Sequence, residues 1–256
     1  SNFGKTIQVS TFGASHGYAI GGIVEGLPCG HTIDIDELQA FLKRRAPGQN
    51  QLQTQRKEAD IPEFLSGMVD GMLSGSPLAF MIRNTSQHSG DYNNLRDIPR
   101  PSHADFTARM RYGDKVDMRG GGHFSARLTA PLCVAGGIAL QLLREKGIEI
   151  HGHLKQVGTI QDTPIDMVHP DMKALAKIAT ETIAMVDADK RSEVENLVMK
   201  LKKDGDSTGG IVEVIATGLP VGLGNPNFDG IENRLARVIF GVPAIKGVSF
   251  GGGFDM

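Results

Sequence analysis

The pattern of apolar and polar positions predicts short strands followed by an amphipathic helix at the start of the chain. Residues 6–12 alternate as a strand does, and residues 20–25 predict a second strand. Asp34 is a candidate helix N-cap, and Glu37 stands at the spacing of a capping box. The helix that follows has one apolar face and is expected to end at Pro47-Gly48. Its apolar face consists of Ile35, Leu38, Phe41 and Leu42.

The rest of the pattern predicts a chain of mixed α and β structure with an irregular middle. Residues 84–122 are dense in Gly, Pro, Asp, Arg and His and show little periodicity. Loops of that length inside a compact domain are usually functional. Regular elements are predicted as a hairpin-like stretch at 64–83, a buried helix at 130–146, a strand at 148–160 and two helices within 172–203.

A strand, a Gly-Leu-Pro turn and a helix occur twice along the chain. The first copy turns at Gly26-Leu27-Pro28, and the second at Gly218-Leu219-Pro220 before a candidate helix at 231–240. One interpretation is a duplicated half, with the copies related by a pseudo-twofold axis. The other is two ordinary units that share common turn residues.

The composition indicates a globular protein and argues against some kinds of partner. The chain has 256 residues, 40% hydrophobic and 22% charged, which is typical of a globular protein, and we expect one domain over residues 1–256. A net charge of −2 argues against nucleic acid or an anionic membrane as partner. We find no apolar run of membrane-spanning length and no signal peptide, so a cytoplasmic location is predicted. Cys29 and Cys133 are far apart and predict buried free thiols.

The first candidate site is the segment Thr11-Phe12-Gly13-Ala14-Ser15-His16-Gly17. It follows a predicted strand, and its glycines predict an accessible imidazole at His16, suited to proton delivery near neutral pH. Ser15 could hold a phosphate or orient the histidine. The alternative is a turn in which both side chains only satisfy backbone groups.

The second candidate is a basic segment, Lys43-Arg44-Arg45 followed by Gln55-Arg56-Lys57. Arginine binds phosphate and carboxylate with two hydrogen bonds, so these cations could clamp an anion. Taken alone, they equally fit a solvated helix end that complements the helix dipole.

The third candidate lies within the irregular middle. Arg100-Pro101-Ser102-His103-Ala104-Asp105 is followed by Arg119 to Arg127, which contains the glycine triplet 120–122. Backbone N–H groups of such a triplet could approach an anion before the next helix. The alternatives are a surface loop or an RGG-like nucleic-acid contact. The histidines do not have the ligand spacing of a zinc motif, so no metal is expected.

Together these segments resemble the chorismate synthase family, in the same order along the whole chain. Several multi-residue motifs in one order are far more specific than any one of them. The similar segments are 11–17, 44–49, 54–60, 83–85, 91–92, 100–105, 119–127, 204–207, 218–224 and 243–247.

The resemblance implies an α+β fold of the β-α-β-α sandwich type, usually as a homotetramer. It implies a lyase that converts 5-enolpyruvylshikimate 3-phosphate to chorismate and phosphate by anti-1,4-elimination, the last step of the shikimate pathway. Reduced FMN is implied as cofactor, reduced with NADPH by the protein itself or by an external reductase. The flavin would lend electron density to the departing phosphate.

The resemblance also implies a role for particular residues. His16 would protonate or stabilise the leaving phosphate, and His103 would face the flavin and assist its protonation state. We expect both histidines and the substrate-binding arginines to face one cleft. The implied residues are Ser15, His16 and His103 for catalysis, Arg45, Arg100 and Arg127 for the substrate, and His123, Phe124 and Ser125 for FMN.

The chain also departs from the family pattern. Ala14 stands where the family usually has Glu, His123-Phe124 where Arg-Ser is common, and Ala46 and Gln51 where Arg is often found. These departures favour, as an alternative, a non-catalytic homologue that binds flavin or an anion. The last third of the family pattern is absent, so we expect further flavin contacts to lie beyond Met256.

Overall fold

The computed structural model describes residues 1–48, 50, 52, 58–85 and 98–253. The chain divides into two compact units. The first consists of 1–46, 57–139 and 220–256, and the second of 47–56 and 140–219. A single domain over residues 1–256 stays a prediction.

The first unit contains an antiparallel sheet. Its strands are β1 (Asn2–Gly4), β2 (Gln8–Gly13), β3 (Ala19–Glu25), β4 (Glu63–Ser66) and β7 (Leu78–Arg83), and β5 (Met68–Val69) and β6 (Met72–Leu73) form a separate hairpin. In the described residues the sheet order is β1-β2-β3-β7-β4, and each neighbouring pair is antiparallel.

Side-chain alternation determines which face of this sheet is buried. Leu78, Phe80 and Ile82 on β7 are at most 1% exposed, and Ile20 and Val24 of β3 pair beside them. The side chains between them are less buried, as the period of two in a strand requires. The core of the first unit therefore lies on this face.

The helices are α1 (Ile35–Arg45), α2 (Asp105–Tyr112), α3 (Thr129–Arg144), α4 (Met172–Ile178), α5 (Ala188–Asp204) and α6 (Ile231–Ile239). The predicted start of α1 is confirmed, since the Asp34 carboxylate accepts the Glu37 N–H at 2.9 Å. Leu38 and Leu42 are its buried residues, and Leu38 packs beside Gly137 of α3.

Helix α2 lies in the segment that was expected to be irregular, so that expectation is wrong for residues 105–112. Its apolar pattern is weak because Phe106 and Met110 are 60% and 74% exposed, while the small Ala108 is buried. Without a long apolar stripe, periodicity alone does not reveal such a short helix.

The helical stretch Arg119–Arg144 is long and apolar enough to cross a membrane, contrary to the sequence-based expectation. One such stretch is weak evidence, because the core helix of a soluble protein passes the same test. Its backbone is non-helical at the glycine triplet, and 44% of its most apolar window is buried within the protein. These features fit a core helix, α3, preceded by short 3-10 segments.

A second sheet organises the second unit. Its strands are β8 (Glu149–Val157), β9 (Ile160–Gln161) and β10 (Gly210–Thr217). The order in the described residues is β10-β8-β9, with antiparallel pairing. Ile183, Met185 and Val194 form its core cluster.

Both strand–turn–helix copies predicted from the sequence are present. Gly26 directly follows β3 and Gly218 directly follows β10, with φ of 82° and 74°. The copies differ in burial, because α1 has buried residues and α6 has none. Descent from one duplicated half stays a prediction.

The two cysteines are free, as predicted. Cys29 is exposed, so the expectation that it is buried is wrong. Cys133 is half-buried, and burial raises the pKa of its thiol.

Candidate functional site

The turn between β2 and β3 places Ser15 and His16 inside the first unit. Ser15 is 2% exposed and His16 is 8% exposed, so the expectation of an accessible imidazole is wrong. The Ser15 N–H donates to the Gly122 carbonyl at 3.0 Å, and the Gly17 N–H donates to the Ala14 carbonyl at 3.0 Å. The turn is therefore bound both within itself and to the distant glycine triplet.

The glycine triplet lies directly against the His16 ring. Gly120 has a φ of 59°, and a Cβ at this position would collide with the imidazole. Gly121 and Gly122 also have positive φ, 89° and 55°. Glycine is required at 120 because a side chain would occupy the space of the ring. Approach of the triplet's N–H groups to an anion stays a prediction.

Arg119, which the sequence offered as a nucleic-acid contact, is paired with Asp117. Their Nη2 and Oδ2 atoms lie 2.8 Å apart, and Arg119 Nε also donates to the carboxylate at 2.9 Å. These hydrogen bonds lower the pKa of Asp117 and raise that of Arg119. The pairing stabilises the start of the glycine triplet locally.

Two of the predicted substrate-binding arginines share one carboxylate. Arg45 and Arg127 each donate an Nη1 hydrogen bond to Asp60, one to each oxygen. Arg45 Nε also lies 3.3 Å from the Thr129 hydroxyl, and Arg127 Nη2 lies 3.9 Å from a Glu58 oxygen. The Arg45 side chain is 21% exposed and the Arg127 side chain 3%, so only Arg45 reaches the surface of the chain appreciably.

Asn84 joins this arginine pair to the His16 turn. Its Nδ2 donates to the carbonyls of Ala14 and Gly17 at 3.1 and 2.8 Å, and its Oδ1 accepts from Arg127 Nε at 3.1 Å. Asn84 is 7% exposed. A buried amide that satisfies all these partners holds the histidine turn and the cations in one polar network.

Arg100 and His103 form a separate local group around Asp105. Arg100 pairs with the Asp105 carboxylate through Nε at 2.8 Å and Nη2 at 2.9 Å. The Arg100 hydrogen bonds lower the pKa of Asp105. His103 is exposed, and its Nδ1 lies 2.9 Å from the Pro101 carbonyl. A single cleft for both histidines stays a prediction.

The predicted cofactor residues lie between the glycine triplet and α3. His123 Nδ1 is 3.0 Å from the Gly13 carbonyl, and its Nε2 is 3.1 Å from the Ser1 hydroxyl. Phe124 is 43% exposed, and its ring lies 6.3 Å from that of Tyr112. The Ser125 hydroxyl accepts the Arg127 N–H at 3.2 Å and keeps its proton for another partner.

Part of the predicted basic segment, Gln55-Arg56-Lys57, lies outside the described residues. So do Gln51, one of the departures from the family pattern, and Asp91-Tyr92. In the described part of the chain, no group of three or more His, Cys, Asp or Glu side chains could hold a metal ion.

Comparison with known proteins identifies the family. A family model described as chorismate synthase matches residues 7–256. The chain belongs to the chorismate synthase family. It is 42% identical to the chorismate synthase of Lancefieldella parvula, aligning over 100% of this chain and 70% of that protein. It is 44% identical to the chorismate synthase of Ralstonia pickettii, over 99% of this chain and 67% of that protein.

The fold agrees with this assignment. A crystal structure of a chorismate synthase superposes with a TM-score of 0.78 at 27% identity, covering 98% of this chain and 71% of that one. The predicted α+β class and the predicted lyase family are confirmed, and these matches do not favour a non-catalytic homologue.

Sequence reasoning assigned no role to Glu58, Asp60 or Asn84, although all three stand in segments that resemble the chorismate synthase family. The available signal was two acidic residues directly after a basic segment. Acidic residues there suggest paired rather than free arginines, and the structure shows that pairing at Asp60.

Proposed function

We propose that this chain eliminates phosphate from 5-enolpyruvylshikimate 3-phosphate to form chorismate, the last step of the shikimate pathway. Family membership supports the reaction. The main structural support for the site is that the Asn84 side chain hydrogen-bonds both the His16 turn and Arg127. This supports the proposal that His16, as proton-transfer group, and the cation Arg127 act at one site, as removal of a phosphate requires.

In this elimination the C–O bond to phosphate breaks, and the phosphate leaves with the electron pair. A ring C–H bond also breaks: its electrons form a new double bond, the existing ring double bond shifts toward the carbon that loses phosphate, and the released proton passes to water. His16 would donate a hydrogen bond or proton to the leaving oxygen, with Ser15 beside it. Arg45 and Arg100 would hold the anionic groups of the substrate, since guanidinium groups pair with phosphate and carboxylate. Arg127, which shares Asp60 with Arg45, would belong to the same anion site.

We propose reduced FMN as the cofactor. The residues present fit a flavin. Phe124 and Tyr112 give an exposed aromatic surface, and Ser125 has a hydroxyl proton to donate. His123, Phe124 and Ser125 would hold the cofactor, and His103 would face it. When bound, reduced FMN supplies the electron density that helps the phosphate leave.

The family resemblance also supports a cytoplasmic homotetramer with NADPH as the source of electrons for the flavin. The net charge of −2 supports the proposal that neither nucleic acid nor a membrane surface is a partner. These points concern the whole protein, and this chain spans 70% and 67% of the two relatives named above.

Loss of either histidine tests the assignment. We expect His16→Ala and His103→Ala each to slow phosphate release by roughly 10²–10⁴-fold, as for removal of a positioned proton-transfer group. The substrate KM should change less than kcat. Phosphate release is measured anaerobically with reduced FMN.

His169→Ala is the matched control, because this histidine is 85% exposed and pairs only with the nearby Asp166 among the contacts described. It should keep the kcat of the unchanged chain. Near-normal turnover in the His16 or His103 variant would remove that residue from the mechanism.

A further inference from the structure

Asp60 is a buried carboxylate between two cations of the proposed substrate site. Its side chain is 0% exposed, and its two oxygens accept hydrogen bonds from Arg45 and Arg127 respectively. Its backbone φ is 50°, an uncommon conformation for a residue with a side chain. Because a buried charge is costly unless paired, the two arginines and the carboxylate form one coupled group.

The two arginines are not equivalent in this group. Arg127 is almost fully buried and also bonds Asn84, so its contacts are within the protein. Arg45 is partly exposed, and only Asp60 and Thr129 hold its guanidinium among the described contacts. Arg45 is therefore the member that can meet a ligand, and Asp60 is the link through which the buried Arg127 restrains it.

We infer that Asp60 is a positioning residue, which orients Arg45 toward the anionic group of the substrate by anchoring it to the buried Arg127. This inference rests on the proposed function of Arg45. An arginine side chain has many rotamers, and holding it in one of them before binding lowers the entropy lost when the substrate arrives.

Asp60 also has an electrostatic effect on Arg45, which acts on substrate affinity in the opposite direction and makes the inference testable. The negative charge of Asp60 beside Arg45 also weakens the attraction of Arg45 for an anion. If charge were the only effect, Asp60→Asn would tighten binding of the substrate and of inorganic phosphate. If Asp60 positions Arg45, the same variant loosens both, so the sign of the change separates the two roles.

The experiment compares Asp60→Asn, Arg45→Ala and the double variant. We measure KM for 5-enolpyruvylshikimate 3-phosphate, kcat, and inhibition by inorganic phosphate in the full enzyme with reduced FMN. Asp60→Asn should raise KM by roughly tenfold or more, as expected for a disturbed hydrogen bond to a charged group, with a smaller change in kcat. In the Arg45→Ala background, Asp60→Asn should add no further increase in KM.

Two further variants control for stability. Asp162→Asn replaces a carboxylate whose side chain is also buried, 1% exposed, but belongs to the second unit, where it accepts the Val186 and Asp187 N–H groups. It should lower the melting temperature and leave KM unchanged. If Asp60→Asn does not fold, Asp60→Asn with Arg127→Gln removes both partners of the buried Asp60–Arg127 pair, which costs less than removing one of them. That pair should also raise KM.

Three results overturn the inference. A lower KM in Asp60→Asn would show that its charge alone matters. A further increase in KM when Asp60→Asn is added to Arg45→Ala would show that Asp60 acts independently of Arg45. An unchanged KM in Arg45→Ala would overturn the substrate role of Arg45 itself. A chain that releases no phosphate before any substitution would instead contradict the proposed function.

Discussion

The segments that carry His16 and His103 are both short and irregular, yet different parts of the molecule hold them. The His16 turn is held by Asn84 and by the glycine triplet, which lie about seventy to a hundred residues further along the chain. His103 instead contacts the Pro101 carbonyl, two residues away. His16 is buried and His103 exposed.

This difference shows that two candidate proton-transfer groups can depend on tertiary structure to different degrees. The His16 ring is buried, and long-range hydrogen bonds hold the turn that carries it before any ligand binds. The His103 segment is organised by neighbours in sequence, chiefly the Arg100–Asp105 pair. Substitutions far from His16 in sequence should therefore disturb the position of its side chain. The position of the His103 side chain should depend mainly on residues close to it in sequence.

The largest effect is expected from Gly120→Ala. The new Cβ would collide with the His16 ring, so the ring or the triplet must move. We expect phosphate release to fall by roughly 10²–10⁴-fold, as for loss of the histidine itself. The rate of phosphate release is compared between the variant and the unchanged chain.

Gly113→Ala separates the collision from backbone strain. Gly113 also has a positive φ, 80°, but a Cβ there has no neighbour within 4 Å. Its backbone, with ψ of −179°, lies in a region that is essentially limited to glycine, so the variant should cost about 1–3 kcal/mol of stability and little activity. Equal losses of activity in the two variants would mean that strain, and not contact with His16, explains the effect.

An intermediate effect is expected from Asn84→Ala. It removes one hydrogen bond from each of two carbonyls of the His16 turn and the hydrogen bond of Arg127 Nε, so we expect a loss of about 2–4 kcal/mol in unfolding free energy. Turnover should fall, but less than in His16→Ala, because the ring remains. Urea unfolding and the kcat measure the two effects.

Asn233→Ala provides the comparison, since its Oδ1 accepts one exposed backbone N–H, that of Gly230. We expect a loss of about 1 kcal/mol or less there. If Asn84→Ala cost no more than this, the His16 turn would not depend on the long-range bonds.

The smallest effect is expected from Asp105→Asn, which weakens the local group near His103. Arg100 lowers the pKa of Asp105 in the folded protein. The stabilisation from a lowered carboxyl pKa is complete above the unfolded value, about 3.9, and is lost as pH falls through the folded value. The stability difference between the unchanged chain and the variant should therefore be constant near neutral pH and shrink below about pH 4.

Urea unfolding at pH 7, 5 and 3 measures this difference. A difference that grew toward low pH would have the wrong sign for a lowered pKa. A loss of turnover as large as that of Gly120→Ala would show that His103, too, depends strongly on its packing.

Much of the local structure could be predicted because its causes are local. Asp34 caps α1 by reaching a backbone N–H three residues away, and the turn residues of both Gly-Leu-Pro copies follow their strands directly. Helix α2 was missed because its buried residues are Asp105 and the small Ala108, which do not form an apolar stripe. The candidate site residues were found from motifs, but their partners were not.

The sequence by itself determined the family, the α+β class and most strands and helices, because periodicity, caps and ordered motifs are encoded by residues close together in the chain. Only the tertiary structure decided that His16 is buried against Gly120, and that Arg45 and Arg127 share Asp60. Arg127 and Asp60 are 67 positions apart. The physical reason is that a charge taken out of water must be paired, and the fold alone determines which distant residue is near enough to pair with it.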